Sequence, residues 1–171
     1  MATKRTKRGV GRKKTNLSIS DTKRKFDVPV TAWMRYKNPI QKGILWYLFS
    51  IAIRKRDVAK YGTCISCGKR ITVETSDCGH FIPAASCGRD LLFNPYNNNA
   101  ECTQCNAWDE LHLFGYAKGL DNRYGVGTAE MLLAQHRHLK YMEPTEKLKA
   151  NKDFSAKEYE EKITHLKLHG L

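Results

Sequence analysis

The sequence predicts an α+β protein: a cysteine-punctuated core of short strands flanked by helices, behind a basic arm. Three observations predict it. Two Cys-x-x-Cys pairs, Cys64/Cys67 and Cys102/Cys105, are separated by 34 turn-rich residues. Apolar residues recur at helical spacing before and after that region. Charge is uneven: residues 1–62 hold 17 Lys/Arg against 3 Asp/Glu, and residues 63–171 hold 13 against 14. A chain of 171 residues suits one domain with appendages. Its segments read as a flexible basic arm (1–27), an N-terminal helical segment (28–62), a cysteine-closed core (63–120) and C-terminal helices (121–171).

The arm is rich in Lys, Arg, Thr and Gly and lacks periodicity, so no packed element is expected. Lys4, Arg5, Lys7, Arg8, Arg12, Lys13 and Lys14 suit a polyanionic partner, with nucleic acid ahead of an anionic membrane surface. A solvated tail is the plain alternative. Arg54, Lys55 and Arg56 form a second basic cluster. The apolar stretch ILWYLFSIAI (44–53) is far shorter than the ~20 residues a membrane span needs. No apolar run follows the first basic residues as a signal peptide would require. The expectation is a cytoplasmic protein with no membrane partner, in a compartment that favours metal or free thiol over disulfide.

The first helix has Asn38 as N-cap and Pro39 at its first position. Ile40, Ile44, Leu45, Leu48, Ile51 and Ala52 share one face, and Trp46, Tyr47, Phe49 and Ile53 make the other side apolar too. Such a helix is buried in the core or meets a second copy of the chain. RITVET (70–75) is the clearest strand. Helices are expected from about Thr103 to Lys118, from Thr128 to Met142, and after Ser155. Ser155 and Glu158 form a capping box there, and Phe154 with Tyr159 a hydrophobic staple.

Each cysteine pair can grip one tetrahedral ion through two thiolates, so Cys64, Cys67, Cys102 and Cys105 together make a closed structural Zn²⁺ site. An iron–sulfur centre or free thiols are the other readings. Cys78 and Cys87 read as small buried hydrophobes. The loop closed by the clasp carries TSDCGHF. A lone histidine is more often structural than catalytic, but His80 has Asp77 nearby as a carboxylate. Asn97 could tie the loop through its amide, and Asn106 follows Cys105 directly. A histidine on a hairpin, an asparagine on its second arm and an oxygen ligand on the next helix compose a ββα-metal arrangement.

In order, LWYLFSIAIRKRD (45–57), GTCISCGK (62–69), DCGHF (77–81), NNNAECTQCN (97–106) and GYAKGLDNRYG (115–125) resemble the HNH, or ββα-metal, nucleases of the endonuclease VII type. The closer resemblance is to the phage NinG (Rap) recombination family. It implies a zinc-stabilised HNH-like core and a metal-dependent endonuclease acting on branched DNA such as Holliday junctions and D-loops. For a phage-encoded chain it implies the host cytoplasm. By this resemblance His80 is the general base, a role that suits a neutral imidazole. Asn106 gives an amide oxygen to a catalytic Mg²⁺ or Mn²⁺, hard cations that prefer oxygen. Asp77 is a further ligand, and Asn97 belongs to the catalytic set.

The family pattern places an Asp where this chain has Gly79. Asp77 lies on the same strand face as position 79, displaced by two residues. Glu110, four residues after Asn106, would share its helix face and offer another ligand; a solvated helix charge is the alternative. His112, His136 and His138 carry no motif and default to surface or core roles. Two other readings stand beside the branch nuclease: a zinc-stabilised DNA-binding protein without catalysis, and a nickase of linear duplex. A homodimer would suit the two symmetric cuts a four-way junction needs.

Overall fold

The protein is described by a computed structural model that covers residues 40–150 and 152–171. The basic arm with Lys4, Arg5, Lys7, Arg8, Arg12, Lys13 and Lys14, and the expected cap Asn38-Pro39, lie outside the described residues. The architecture is α+β, with a single two-stranded sheet among the described residues. In chain order the elements are α1 (Ile40–Lys60), β1 (Ser76–His80), α2 (Gly88–Leu92), β2 (Asn98–Cys102), α3 (Thr103–Trp108), α4 (His112–Tyr124), α5 (Thr128–Tyr141), α6 (Pro144–Ala150) and α7 (Ala156–His169). No described helix is long and apolar enough to cross a membrane.

α1 is apolar on both sides because two sets of partners claim it. Trp46, Phe49 and Ile53 enter the main core with Phe81, Ile82, Leu91, Tyr116, Leu120 and Leu132. Ile44 and Leu45 pack instead against Tyr159 and Ile163 of α7. Both apolar sides are therefore used within the chain. α7 starts at the expected place: Ser155 Oγ accepts from Glu158 N–H at 3.3 Å, and Glu158 Oε2 accepts from Ser155 N–H at 2.8 Å. Phe154 and Tyr159 close the staple with ring centroids 5.3 Å apart.

Two expected elements are corrected. RITVET does not form a strand. Thr72 N–H donates to Thr75 Oγ1 at 2.8 Å and Thr75 N–H to Thr72 Oγ1 at 3.3 Å, so the threonine hydroxyls draw the backbone into a turn. The strand begins at Ser76, where the partner β2 is available; side-chain propensity gives way to pairing. The helix expected over 103–118 is two helices. α3 stops at Trp108, and Asp109 Oδ1 accepts from Leu111 N–H at 2.9 Å, an Asx turn that competes with the helical bond.

Asp57 of α1, fully buried, fastens three elements. It pairs with Arg56 Nε at 2.7 Å and Arg123 Nη1 at 3.2 Å, and it accepts from Ala100 N–H of β2 at 2.7 Å. Removing one partner of a buried ion pair leaves uncompensated charge, at a cost of about 3–5 kcal/mol. Asp57→Ala should therefore lower stability by that amount in denaturant unfolding. A loss below about 1 kcal/mol would show that the hub is dispensable.

Candidate functional site: a thiol clasp behind a hairpin

β1 and β2 run antiparallel with Ser76 opposite Cys102, Asp77 opposite Glu101, Gly79 opposite Asn99 and His80 opposite Asn98. Side chains alternate across a strand, so Asp77, Gly79, Asn99 and Glu101 share one face, while His80, Cys78, Asn98 and Ala100 share the other. α3 follows β2 without a linker, and Cys102 is its N-cap residue.

The second cysteine pair thus straddles a strand end and a helix start, and the first lies on the turn after α1. All four sulfurs lie within 4.8 Å of one another. A tetrahedral ion at about 2.3 Å from each thiolate requires sulfurs roughly 3.8 Å apart. Cys67 and Cys102 Sγ are 3.8 Å apart, and Cys102 N–H donates to Cys64 Sγ at 3.3 Å. The donor set and spacing fit one closed metal site. Burial pushes the free Cys64 thiol up to about 11, and burial likewise raises Cys105. A dication entering such a site displaces protons, which ties its affinity to pH.

The clasp is braced from behind by α4. A Cβ on Gly115 would overlap the Ser66 carbonyl, and one on Gly119 would overlap the Ile65 carbonyl. These glycines, one helical turn apart, let the helix backbone rest on the Cys64–Cys67 turn. Tyr116 between them is fully buried and donates to the Gly79 carbonyl at 2.9 Å, which locks β1 to the same helix.

Asn97 ties the loop after β1. Its Oδ1 accepts from Ile82 N–H at 2.7 Å, and its Nδ2 donates to the carbonyls of Ile82 at 3.2 Å and Leu91 at 3.1 Å. Asn98 and Asn99, not singled out by sequence, do similar work. Asn98 Nδ2 donates to Asn94 O at 2.8 Å, and Asn99 Oδ1 accepts from Tyr124 Oη at 2.7 Å. All three asparagines are fully buried.

His80, half-buried at the end of β1, stacks on Trp46 of α1 with centroids 4.9 Å apart and planes 16° from parallel. Asn106 is exposed and is the fourth residue of α3, inside the helix and not its cap. Asp77 is half-exposed on the sheet face opposite to His80. Among the described residues the four cysteines make the one group of three or more His, Cys, Asp or Glu placed to hold an ion. Asp77, His80 and Glu110 are not brought together. Glu110 does not share a helix face with Asn106, because α3 ends before it.

Of the second basic cluster, Arg54 Nη1 donates to the carbonyls of Val73 at 2.7 Å and Ser76 at 3.2 Å. Arg56 donates to Asp57, to Pro95 O and to Asn98 O. These guanidinium groups hold the fold, and Lys55 is the exposed member. Cys87 is buried in the main core and Cys78 packs against it, as small apolar residues.

Glu101 has a place at the site that no motif in the sequence marks. It is fully buried, with Oε1 accepting from Ser66 Oγ at 2.5 Å and lying 2.8 Å from His112 Nδ1. Its Oε2 lies over Gly79, where any Cβ would overlap it. The signal was its place between Asn99 and Cys102, on the strand that the clasp terminates.

Fold and site define a small α+β protein in which a four-cysteine clasp holds a two-stranded hairpin against the helix that follows. Residues 4–167 match the family described as Bacteriophage Lambda NinG protein, and the chain belongs to that family. No curated protein and no solved structure matches it.

Proposed function

We propose that the protein is a metal-dependent, structure-selective DNA endonuclease that acts on branched intermediates of phage recombination. The observation that carries this reading is the placement of His80 and Asn106. His80 ends β1, Asn97 ties down the loop that follows it, and Asn106 comes one residue after a clasp cysteine. The clasp holds Zn²⁺, which fixes hairpin and helix without touching substrate.

Water is activated by His80: as its oxygen bonds to phosphorus, the imidazole takes its proton and the P–O3′ bond breaks. The leaving 3′-oxygen takes a proton from solvent water and the His80 imidazolium returns its own to solvent, giving a 3′-hydroxyl and a 5′-phosphate. A Mg²⁺ or Mn²⁺ bound there would polarise the phosphate and offset charge on the leaving oxygen. Asn106 and Asp77 are the residues to hold it, both carrying oxygen donors. Arm and Lys55 contribute sequence-independent attraction to phosphates.

One observation favours the non-catalytic DNA-binding reading: Asp77 and His80 lie on opposite faces of the sheet. Digestion of matched branched and linear DNA in Mg²⁺ separates the readings. The nuclease reading expects cuts in the branched substrate, paired at symmetric positions by a two-fold dimer, and none after chelation of Mg²⁺. Binding without any cut supports the binding protein. Equal cutting of linear duplex supports a nickase.

The arm should add affinity and not chemistry, because it holds ten Lys/Arg and none of the proposed catalytic groups. Deleting residues 1–25 should weaken DNA binding and flatten its salt dependence, since each lost phosphate contact lowers the log–log slope by about 0.9. An unchanged slope would show that the arm is idle.

A further inference from the structure

Glu101 is fully buried, yet its Oε2 has no hydrogen-bond partner among the described residues. A buried carboxylate oxygen left unsatisfied is expensive. Asp77 stands directly opposite on the neighbouring strand, on the same face. Like charges in that relation repel, with Cβ atoms only about 4.5–5.5 Å apart. Among the described residues neither carboxylate reaches a Lys or Arg to form an ion pair; His112 and Ser66 both engage the other oxygen of Glu101. Gly79 gives the Glu101 carboxylate its room on this face, since a side chain there would collide with it. Among the described residues, then, two facing carboxylates, one with a buried oxygen to spare, have no lysine or arginine paired with them.

We propose that Asp77 and Glu101 together form a divalent-cation site on this face of the hairpin. The assignment rests on the nuclease reading for its purpose and names Glu101 as a ligand of the same ion. Mg²⁺ and Mn²⁺ suit it, because a hard cation of this size is held by one or two carboxylates with water and phosphate oxygens completing the shell. His112 and Ser66 hold Glu101 through Oε1, which keeps the second oxygen turned to the Asp77 face. The clasp contributes as well: Ser66 lies within its first pair and Cys102 follows Glu101 directly.

The test uses Mn²⁺ as the probe, on full-length protein with zinc in its clasp and no DNA. Free Mn²⁺ counted by electron paramagnetic resonance gives the affinity. Asp77→Asn and Glu101→Gln should each weaken Mn²⁺ binding about tenfold or more while zinc content stays at the parental level. In the parent, Mn²⁺ should broaden the amide signals of Asp77–Gly79 and of Ala100–Glu101 while those of α7 stay sharp. This second readout decides the matter if Glu101→Gln does not fold. Parental Mn²⁺ affinity in folded Glu101→Gln, or broadening that spares the hairpin, overturns the proposal. Cleavage assays on the same samples keep the two readings apart. A parent that binds Mn²⁺ here but cuts no DNA supports the site and sinks the nuclease. A folded Glu101→Gln that binds Mn²⁺ and cuts as the parent does sinks the site and keeps the nuclease.

Discussion

His80→Ala should fold, keep its clasp metal, bind branched DNA, and cut it about 10²–10⁴-fold more slowly, the usual cost of losing a general base. The fold should survive because His80 is half-buried at the end of β1, where its ring stacks on Trp46. An aromatic pair contributes about 0.5–1.5 kcal/mol beyond its buried area, a fraction of a domain's stability. Binding should survive because the basic surface is untouched. Added Mg²⁺ should not restore the rate, since the missing step is proton transfer. Single-turnover cleavage at saturating enzyme measures this, and a parental rate in folded protein would remove His80 from the mechanism.

Cys64→Ala and Cys105→Ala should each abolish tight zinc binding and unfold the hairpin region. The magnitudes decide this. Structural zinc in finger-sized sites contributes about 10–16 kcal/mol of apparent binding free energy, comparable with the whole 5–15 kcal/mol stability of a domain. Here the clasp joins the end of α1, the end of β2 and the start of α3, and α4 rests on it through Gly115 and Gly119. Elemental analysis should find one zinc per chain in the parent and little in the variants, with loss of helical signal on chelation. Pure, folded parent free of zinc and iron would refute the clasp's role.

The parts of the fold legible in the sequence were those written in local chemistry. The Ser155/Glu158 box announces α7, and paired cysteine spacing announces the clasp. The two-sided apolar character of α1 announced burial. That its second side meets α7 depends on a return of the chain from more than a hundred residues away, which no window of α1 contains. RITVET misled because β-branched residues also carry hydroxyls, and Thr72 and Thr75 spend theirs on a turn. Asp109 ended a helix that periodicity alone would continue.

At the site, Asn97 was legible as a loop tie, whereas Asp57 and Glu101 were not. Their importance lies in cross-element contacts made by single charges in otherwise ordinary surroundings.

Asn106→Ala, measured as zinc-loaded protein cutting a four-way junction in Mg²⁺, shows most directly whether the clasp serves to hold a chemical group in place. Asn106 is exposed inside α3, and Ala is the better helix former, so fold and zinc should be unaffected. Cleavage should collapse while junction binding persists, with Asn106→Asp altering the metal requirement. Cutting at the parental rate by folded, zinc-loaded Asn106→Ala would contradict it and leave the clasp a purely structural device.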